Sequence, residues 1–200
     1  MLWISELKAL AHCDLTYTSG EFDRERFSRV TDLAAEMAAE ITLSPPEPIK
    51  AMFAFEQNAY STPIIVIRSF VLKNDQILLV KERSDGLWTL RGGFADVNES
   101  PSEAVVRETF EESGFLVKPR VLLALWDVLK HDQPLSWPHI YTCIFYCDLV
   151  SGEAQPNREI SDIDFFSIDK LPDLSTLRVT RKQLETLYAL TRTPQPTVFD

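Results

Sequence analysis

Three cysteines among 200 residues (Cys13, Cys143, Cys147) are too few and too scattered to form a disulfide framework. Cys143 and Cys147 can share one face of a strand, but no His/Cys pair stands nearby to complete a zinc site, so they read as buried thiols. A reducing cytoplasm is the expected setting. The chain also lacks a charged-then-apolar start and any apolar run long enough to span a bilayer, so no membrane association is expected. Positive charge is scarce: 20 Lys and Arg against 30 Asp and Glu give a net charge of −10. That balance argues against a large basic nucleic-acid surface. It leaves room for a small one, and for an anionic substrate held through metal ions. There is no internal repeat and no low-complexity segment.

What is present is ordinary globular material, 45% hydrophobic and 25% charged, enough for one domain and a small appendage. Residues 1 to about 12 predict a short helix. A turn at Thr18-Ser19-Gly20 precedes a longer helix from about Phe22 to Ile41, with Phe27, Val30, Leu33, Ala34, Met37, Ala38 and Ile41 as an apolar stripe that must be buried. Leu43 to Pro48 reads as a helix-breaking linker. Two helices cannot make a core alone, so they are expected to pack on the following domain, on a second subunit, or on both. Beyond them the pattern becomes strand-like: Pro63–Leu72, an Asn74-Asp75 turn, Gln76–Lys81, a Ser84-Asp85-Gly86 turn and Leu87–Leu90. Later extended segments are expected over Phe115–Leu129, broken by Pro119, and as strands over His139–Val150 and Asp162–Ile168, then a closing helix over Leu177–Thr191 and an irregular tail. The organisation is therefore mixed α/β, with a helical region over 1–60, serving for dimerisation or as a cover for the substrate site, and a main domain over 61–200.

Chemistry concentrates in Gly92–Phe115, GGFADVNESPSEAVVRETFEESGF. Ser100, Pro101 and Glu103 form a helix-start signature with a capping box, and Gly114 is a natural stop. Between them Glu108, Glu111 and Glu112 are spaced i, i+3, i+4 on one helical face. The carboxylates repel one another and sit near the helix C-terminus, where the macrodipole disfavours anions. Arg107 offsets only part of this. A solvated acidic face is the plain alternative; a hard divalent cation is the reading that removes the repulsion.

Counted from Gly93, five residues lead to Glu99 and seven more to Arg107 and Glu108, followed by Glu111, Glu112, Gly114 and Phe115. This spacing resembles the Nudix box, G-x5-E-x7-R-E-U-x-E-E-x-G-U, at every fixed position, with Thr109 and Phe115 in the two bulky-aliphatic slots. With the N-terminal helices, the S-D-G-L-W-T-L-R-G-G-F lead-in and the late D-I-D-F-F-S-I-D-K-L-P-D-L-S segment, the chain resembles the Nudix subgroup typified by bacterial CDP-choline pyrophosphatase and often labelled ADP-ribose pyrophosphatase. Arg91 departs from it, standing where many relatives carry proline.

The resemblance implies a Nudix fold, a mixed sheet sandwiched between helices, and metal-dependent hydrolysis of a nucleoside diphosphate linked to another moiety, CDP-choline first and ADP-ribose second. It implies Mg2+ or Mn2+ held by Glu108, Glu111, Glu112 and the Gly93 carbonyl, with Glu99 and Arg107 tying loop to helix. A further carboxylate from Glu159, Asp162 or Asp164 is a candidate base or ligand. From the residues themselves, Arg68, Arg91, Lys81 and His131 are candidate substrate contacts, and Trp126, Trp137 and Tyr141 are candidate base-stacking rings. Two alternatives stay open: RNA 3′-end exonuclease-type activity at the same metal site, which makes RNA a possible partner, and a non-catalytic nucleotide sensor. The apolar stripe of the second helix points to a homodimer.

Overall fold

The computed structural model describes residues 2–55, 62–96, 98–133, 139–193 and 196–200, and the chain divides into two compact units, Met1–Pro63 and Ile64–Asp200. Trp137 and Pro194 lie outside the described residues. Among the described residues no helix is long and apolar enough to cross a membrane, and all three cysteines are free.

The first unit holds three helices, α1 (Leu2–Tyr17), α2 (Glu21–Thr42) and α3 (Pro46–Phe55), with α1 and α3 both packed on α2. The third helix corrects the linker reading. Pro46 lies at a helix start, where its missing N–H costs nothing and its fixed φ suits the helix. The break is therefore only Leu43–Pro45, where Leu43 caps α2 in a left-handed conformation. The stripe of α2 is also corrected. Its buried residues are Thr31, Ala34, Ala35, Ala38 and Ala39, whereas Leu33, Met37 and Ile41 stay 43%, 43% and 59% exposed. Alanines admit close helix approach; the larger side chains face outward. Ile4, Ala11, Leu15 and Phe53 complete the small core, which also encloses Lys8 and His12.

In the second unit seven strands form one mixed sheet: β1 (Ile64–Lys73), β2 (Gln76–Glu82), β3 (Trp88–Thr89), β4 (Phe115–Asp127), β5 (Ile140–Gly152), β6 (Ile160–Ser167) and β7 (Val198–Phe199). The β1–β2 hairpin turns on Asn74 and Asp75, both at positive φ, the backbone a tight two-residue hairpin requires. β1 and β2 stay paired only near that turn, at Leu72–Ile77 and Lys73–Gln76. Beyond it they splay: β1 runs parallel to β5, and β2 pairs antiparallel with β6 and β3. Side-chain alternation in β2 sends Ile77 and Leu79 to one core and Leu78 and Val80 to the other. Helix α4 (Pro101–Ser113) supplies Ala104 and Val105 to one core, and α5 (Arg181–Arg192) supplies Leu184 and Leu187 to the other. The sheet is thus sandwiched between helices, as expected. Pro119 does not interrupt β4; the strand absorbs it through register shifts against β5.

The tail expected to be irregular contains β7, which pairs in parallel with Ala124 and Leu125 of β4. The Thr197 hydroxyl donates to the Leu122 carbonyl at 2.7 Å, and the Asp127 N–H donates to the Asp200 carboxylate at 2.7 Å.

Candidate active site

The glycine segment occupies the opening where β1 and β2 part. Residues 91–95 run antiparallel along β1: the Ser69 N–H donates to the Arg91 carbonyl (2.9 Å), Ile67 N–H to Gly93 (2.8 Å), and Ala95 N–H to Ile65 (3.3 Å). The two glycines matter to different degrees. Gly92 has φ +134°, and a Cβ on it would lie 1.9 Å from the Ile67 carbonyl oxygen, so glycine is required there. A Cβ on Gly93 would lie 2.6 Å from Glu108 Oε2, so a side chain there would push aside the end of that carboxylate.

Helix α4 is fixed at both ends. Ser100 accepts from the Glu103 N–H and Glu103 reaches back to the Ser100 N–H (2.8 Å), while Gly114 caps the C-terminus at φ 76°. Thr109 and Phe115, the two unusual residues of the motif, are buried; Thr109 returns its hydroxyl to the Val105 carbonyl (2.6 Å), and Phe115 packs in the core beneath α4. Both serve packing.

The Glu99–Arg107 pair is bidentate, Nη2 to Oε1 at 2.6 Å and Nε to Oε2 at 3.0 Å. Glu99 also accepts the Asp96 N–H at 2.8 Å. The Arg107 guanidinium, followed by that N–H, lowers the Glu99 carboxyl to about 2. The same arginine contacts Glu108 (2.8 Å) and Glu111 (3.1 Å), and its pKa is raised by Glu99 first and then by Glu108 and Glu111.

A cleft of about 590 Å³ opens between these elements. Glu108 and Glu112 line it, with side chains only 12% and 17% exposed, whereas Glu111, at 57%, is not in its lining. Arg68 lines it too; its guanidinium donates to the Leu90 and Gly92 carbonyls (both 3.0 Å), and burial, then the neighbouring Arg178, lower it to about 10. Arg91 is fully buried, ion-pairs with Glu112, and is lowered to about 9 by burial and then by Arg68. It is not in the cleft lining and reaches the cleft through Glu112, whose carboxylate also accepts the Gly92 N–H at 3.3 Å. Glu159 lines the cleft, held there by Arg83 N–H on its carbonyl (2.7 Å) and by Asn157 on its N–H (2.8 Å). Asp162 and Asp164 lie instead on β6, outside the cleft lining.

Other candidates lie elsewhere. Lys81 is half-buried in β2 opposite Trp88 and Asp162, outside the cleft lining. His131 packs at a 44° tilt against the buried Trp126, centroids 4.7 Å apart, and pairs with Asp200 at 3.2 Å. Tyr141 lines a separate cavity of about 280 Å³ with Asp127 and Lys130. Glu82 and Arg178 are among the cleft residues that the sequence does not single out. They approach each other at 3.7 Å, and Arg178 also bonds Asp85 (2.8 Å) and Ser175 (2.9 Å). The only sequence signal for Arg178 is a cation set between the apolar Leu177 and Val179.

The donor set fits a hard divalent cation in kind: half-buried carboxylates beside a glycine carbonyl, oxygen donors throughout. Among the described residues no three acidic, histidine or cysteine side chains already converge on one point. Each glutamate of the helix face is instead engaged by an arginine, Glu108 and Glu111 by Arg107 and Glu112 by Arg91.

Fold, box and clamp coincide, and comparison with known proteins agrees. Residues 63–187 match the NUDIX domain, so the chain belongs to the Nudix family and is a Nudix hydrolase. Residues 1–53 match a second family, described as the UDP-X-like, N-terminal oligomerisation domain. Among individual relatives, YjhB of Bacillus subtilis (strain 168), provisionally named an ADP-ribose pyrophosphatase, is 37% identical over 195 residues, covering 97% of this chain and 93% of its own. The crystal structure of a UDP-X diphosphatase superposes with TM-score 0.67 at 33% identity, covering 100% of this chain and 97% of that one. That of an ADP-ribose pyrophosphatase from Streptococcus suis 89-1591 gives TM-score 0.64 at 37% identity, over 70% of this chain and 100% of that one.

Proposed function

We propose that the protein is a Mg2+- or Mn2+-dependent pyrophosphatase that cleaves a nucleoside diphosphate linked to a second moiety, releasing a nucleoside monophosphate. The observation that carries the reading is the pair Glu108 and Glu112 in one cleft beside Gly93, with the Glu99–Arg107 clamp holding loop to helix. ADP-ribose becomes the first substrate to try, ahead of CDP-choline, because two of the compared relatives carry that activity in their names; a UDP-linked compound joins them.

Glu108 and Glu112 would hold the ion, with Glu111 at the rim and the second lone pair of the Gly93 carbonyl available, its first being taken by Ile67. Bound there, a divalent ion neutralises diphosphate oxygens and lowers the pKa of water. The protein's residues supply the rest. Arg107 keeps Glu108 oriented, and its bidentate grip on Glu99 fixes the loop carrying the glycines. Arg68, anchored on the Leu90 and Gly92 carbonyls, brings a positive charge to the cleft wall, where it favours a diphosphate over a neutral ligand. Glu159, on its own tethered loop, is the candidate to accept a proton from attacking water.

Under this reading the chain is a homodimer and 1–60 its association region, supported by the match of residues 1–53 and by the outward Leu33, Met37 and Ile41 of α2. Incubation with ADP-ribose, CDP-choline, UDP-sugars and dinucleotides, with and without Mg2+ or Mn2+, tests the activity. Failure to release a nucleoside monophosphate from any of them in a metal-dependent way would sink it.

A further inference from the structure

Phe94 directly follows the two glycines, lines the cleft and leaves 57% of its surface exposed there. Its backbone does not explain the exposure by looseness. Phe94 bridges Val66, and the Gly93–Ile67 and Ala95–Ile65 hydrogen bonds fix the main chain on either side. The ring is thus presented to the cleft by a backbone that cannot withdraw it. Val66, Ile140 and Leu177 line the same cleft, and Leu177 is itself 56% exposed. The remaining side chains of that lining are mostly charged, so a wet, ionic cleft carries two large apolar side chains that water does not favour. Phe94 adjoins Gly93, which abuts Glu108, and Phe94, Leu177, Glu108 and Glu112 all line this one cleft.

We infer that Phe94, with Leu177 and Ile140, forms a nucleobase subsite in which the base lies on the phenyl face while the diphosphate lies over Glu108 and Glu112. This deepens the pyrophosphatase reading and rests on it. An apolar face without a directed hydrogen-bonding partner accepts any base, because every base has a π-face. Discrimination between substrates then falls on the second moiety rather than on the base.

Equilibrium binding of AMP, CMP and ribose 5-phosphate to the full chain tests this, alongside turnover of the substrate panel, for wild type, Phe94→Ala and Phe94→Trp. Phe94→Ala should weaken AMP and CMP alike, by about tenfold, leave ribose 5-phosphate within about twofold, and be rescued by Phe94→Trp. In turnover the loss should fall on KM. Unchanged monophosphate affinity, loss for only one base, or an equal loss for ribose 5-phosphate would overturn the subsite. A wild type that hydrolyses the panel while Phe94→Ala behaves identically overturns the subsite and leaves the hydrolase reading standing. Phe94-dependent base binding without hydrolysis does the reverse.

Discussion

Helices α2 and α4 expose opposite kinds of surface, and each is costly in isolation. α4 turns Glu108, Glu111 and Glu112 to one side within about a turn, where they repel. α2 turns Leu33, Met37 and Ile41 outward at i, i+4, i+8 while burying alanines, the inverse of an ordinary amphipathic helix. On the proposed reading a cation would relieve the first surface and a second apolar surface would relieve the other. Their supports differ too. α4 rests on a sheet core of large residues such as Ile67, Val71 and Leu78. α2 rests on alanines in a small core that encloses Lys8 and His12. One surface is held rigid for chemistry; the other belongs to a unit whose stability depends on its conditions.

The contrast can be broken at its strongest point first. Glu112→Gln keeps an acceptor oxygen toward Arg91 and the Gly92 N–H, so it should remain folded by circular dichroism while hydrolysis falls on the order of 10³-fold. A variant with near-normal rate would return the glutamates to plain surface charge. Arg107→Ala removes the hold on Glu99 and on two further glutamates; a drop of roughly 10–100-fold in activity or apparent metal affinity is expected. For α2, Met37→Glu should convert a dimer to a monomer by light scattering. A monomeric wild type, unaltered by the substitution, counts against the apolar face as an interface.

The next effect is conditional on pH. His12 is lowered to about 4 by burial, with Lys8 one turn away adding to it, and among the described residues both ring nitrogens lack hydrogen-bond partners. Its folded pKa lies below the ordinary 6.5, so the unfolded chain binds the extra proton. The contribution of neutral His12 is therefore fully present above about pH 6.5, and the helical unit loses stability as pH falls toward about 4. Lys8, lowered to about 8 by burial, titrates above that window. Thermal melts between pH 7 and 4 should show a fall that His12→Leu flattens; parallel curves would remove His12 as the cause. Smallest is Ser100→Ala, which deletes the α4 cap and should cost about 1 kcal/mol in denaturant unfolding without changing the order of substrate preference.

Most of the second unit is legible in the sequence because its signals are local. The Asn74-Asp75 turn, the capping box and the Gly114 stop act through their own backbone, so sequence spacing carries them directly. Helix α3 escapes a reading of Pro46 and Pro48 as breakers, because a proline in the first turn leaves the rest of the helix intact. β7 has only two residues and no period to detect. The box glutamates and the Glu99–Arg107 clamp are legible from spacing on one helix and one loop. Arg68 and Glu159 are legible only as candidates among several, and Glu82 and Arg178 not at all, because the splay of β1 from β2 assembles the cleft from distant segments. Arg91 shows the limit most clearly. A charged residue beside two glycines suggests an exposed contact, yet its place in the bridge to Ser69 leaves it fully buried.

The small strand β7 has a colloidal consequence. An uncovered strand edge offers main-chain donors and acceptors to any other chain, and β4 carries half-exposed apolar residues such as Val121 and Leu125 along its length. Val198 and Phe199 occupy that edge at Ala124 and Leu125, with Thr197 and Asp200 fastening it on either side. Deleting residues 196–200 touches none of the cleft residues. Its expected outcome is a protein that turns over normally when dilute and grows sticky on concentration, by edge-to-edge accretion of otherwise native molecules.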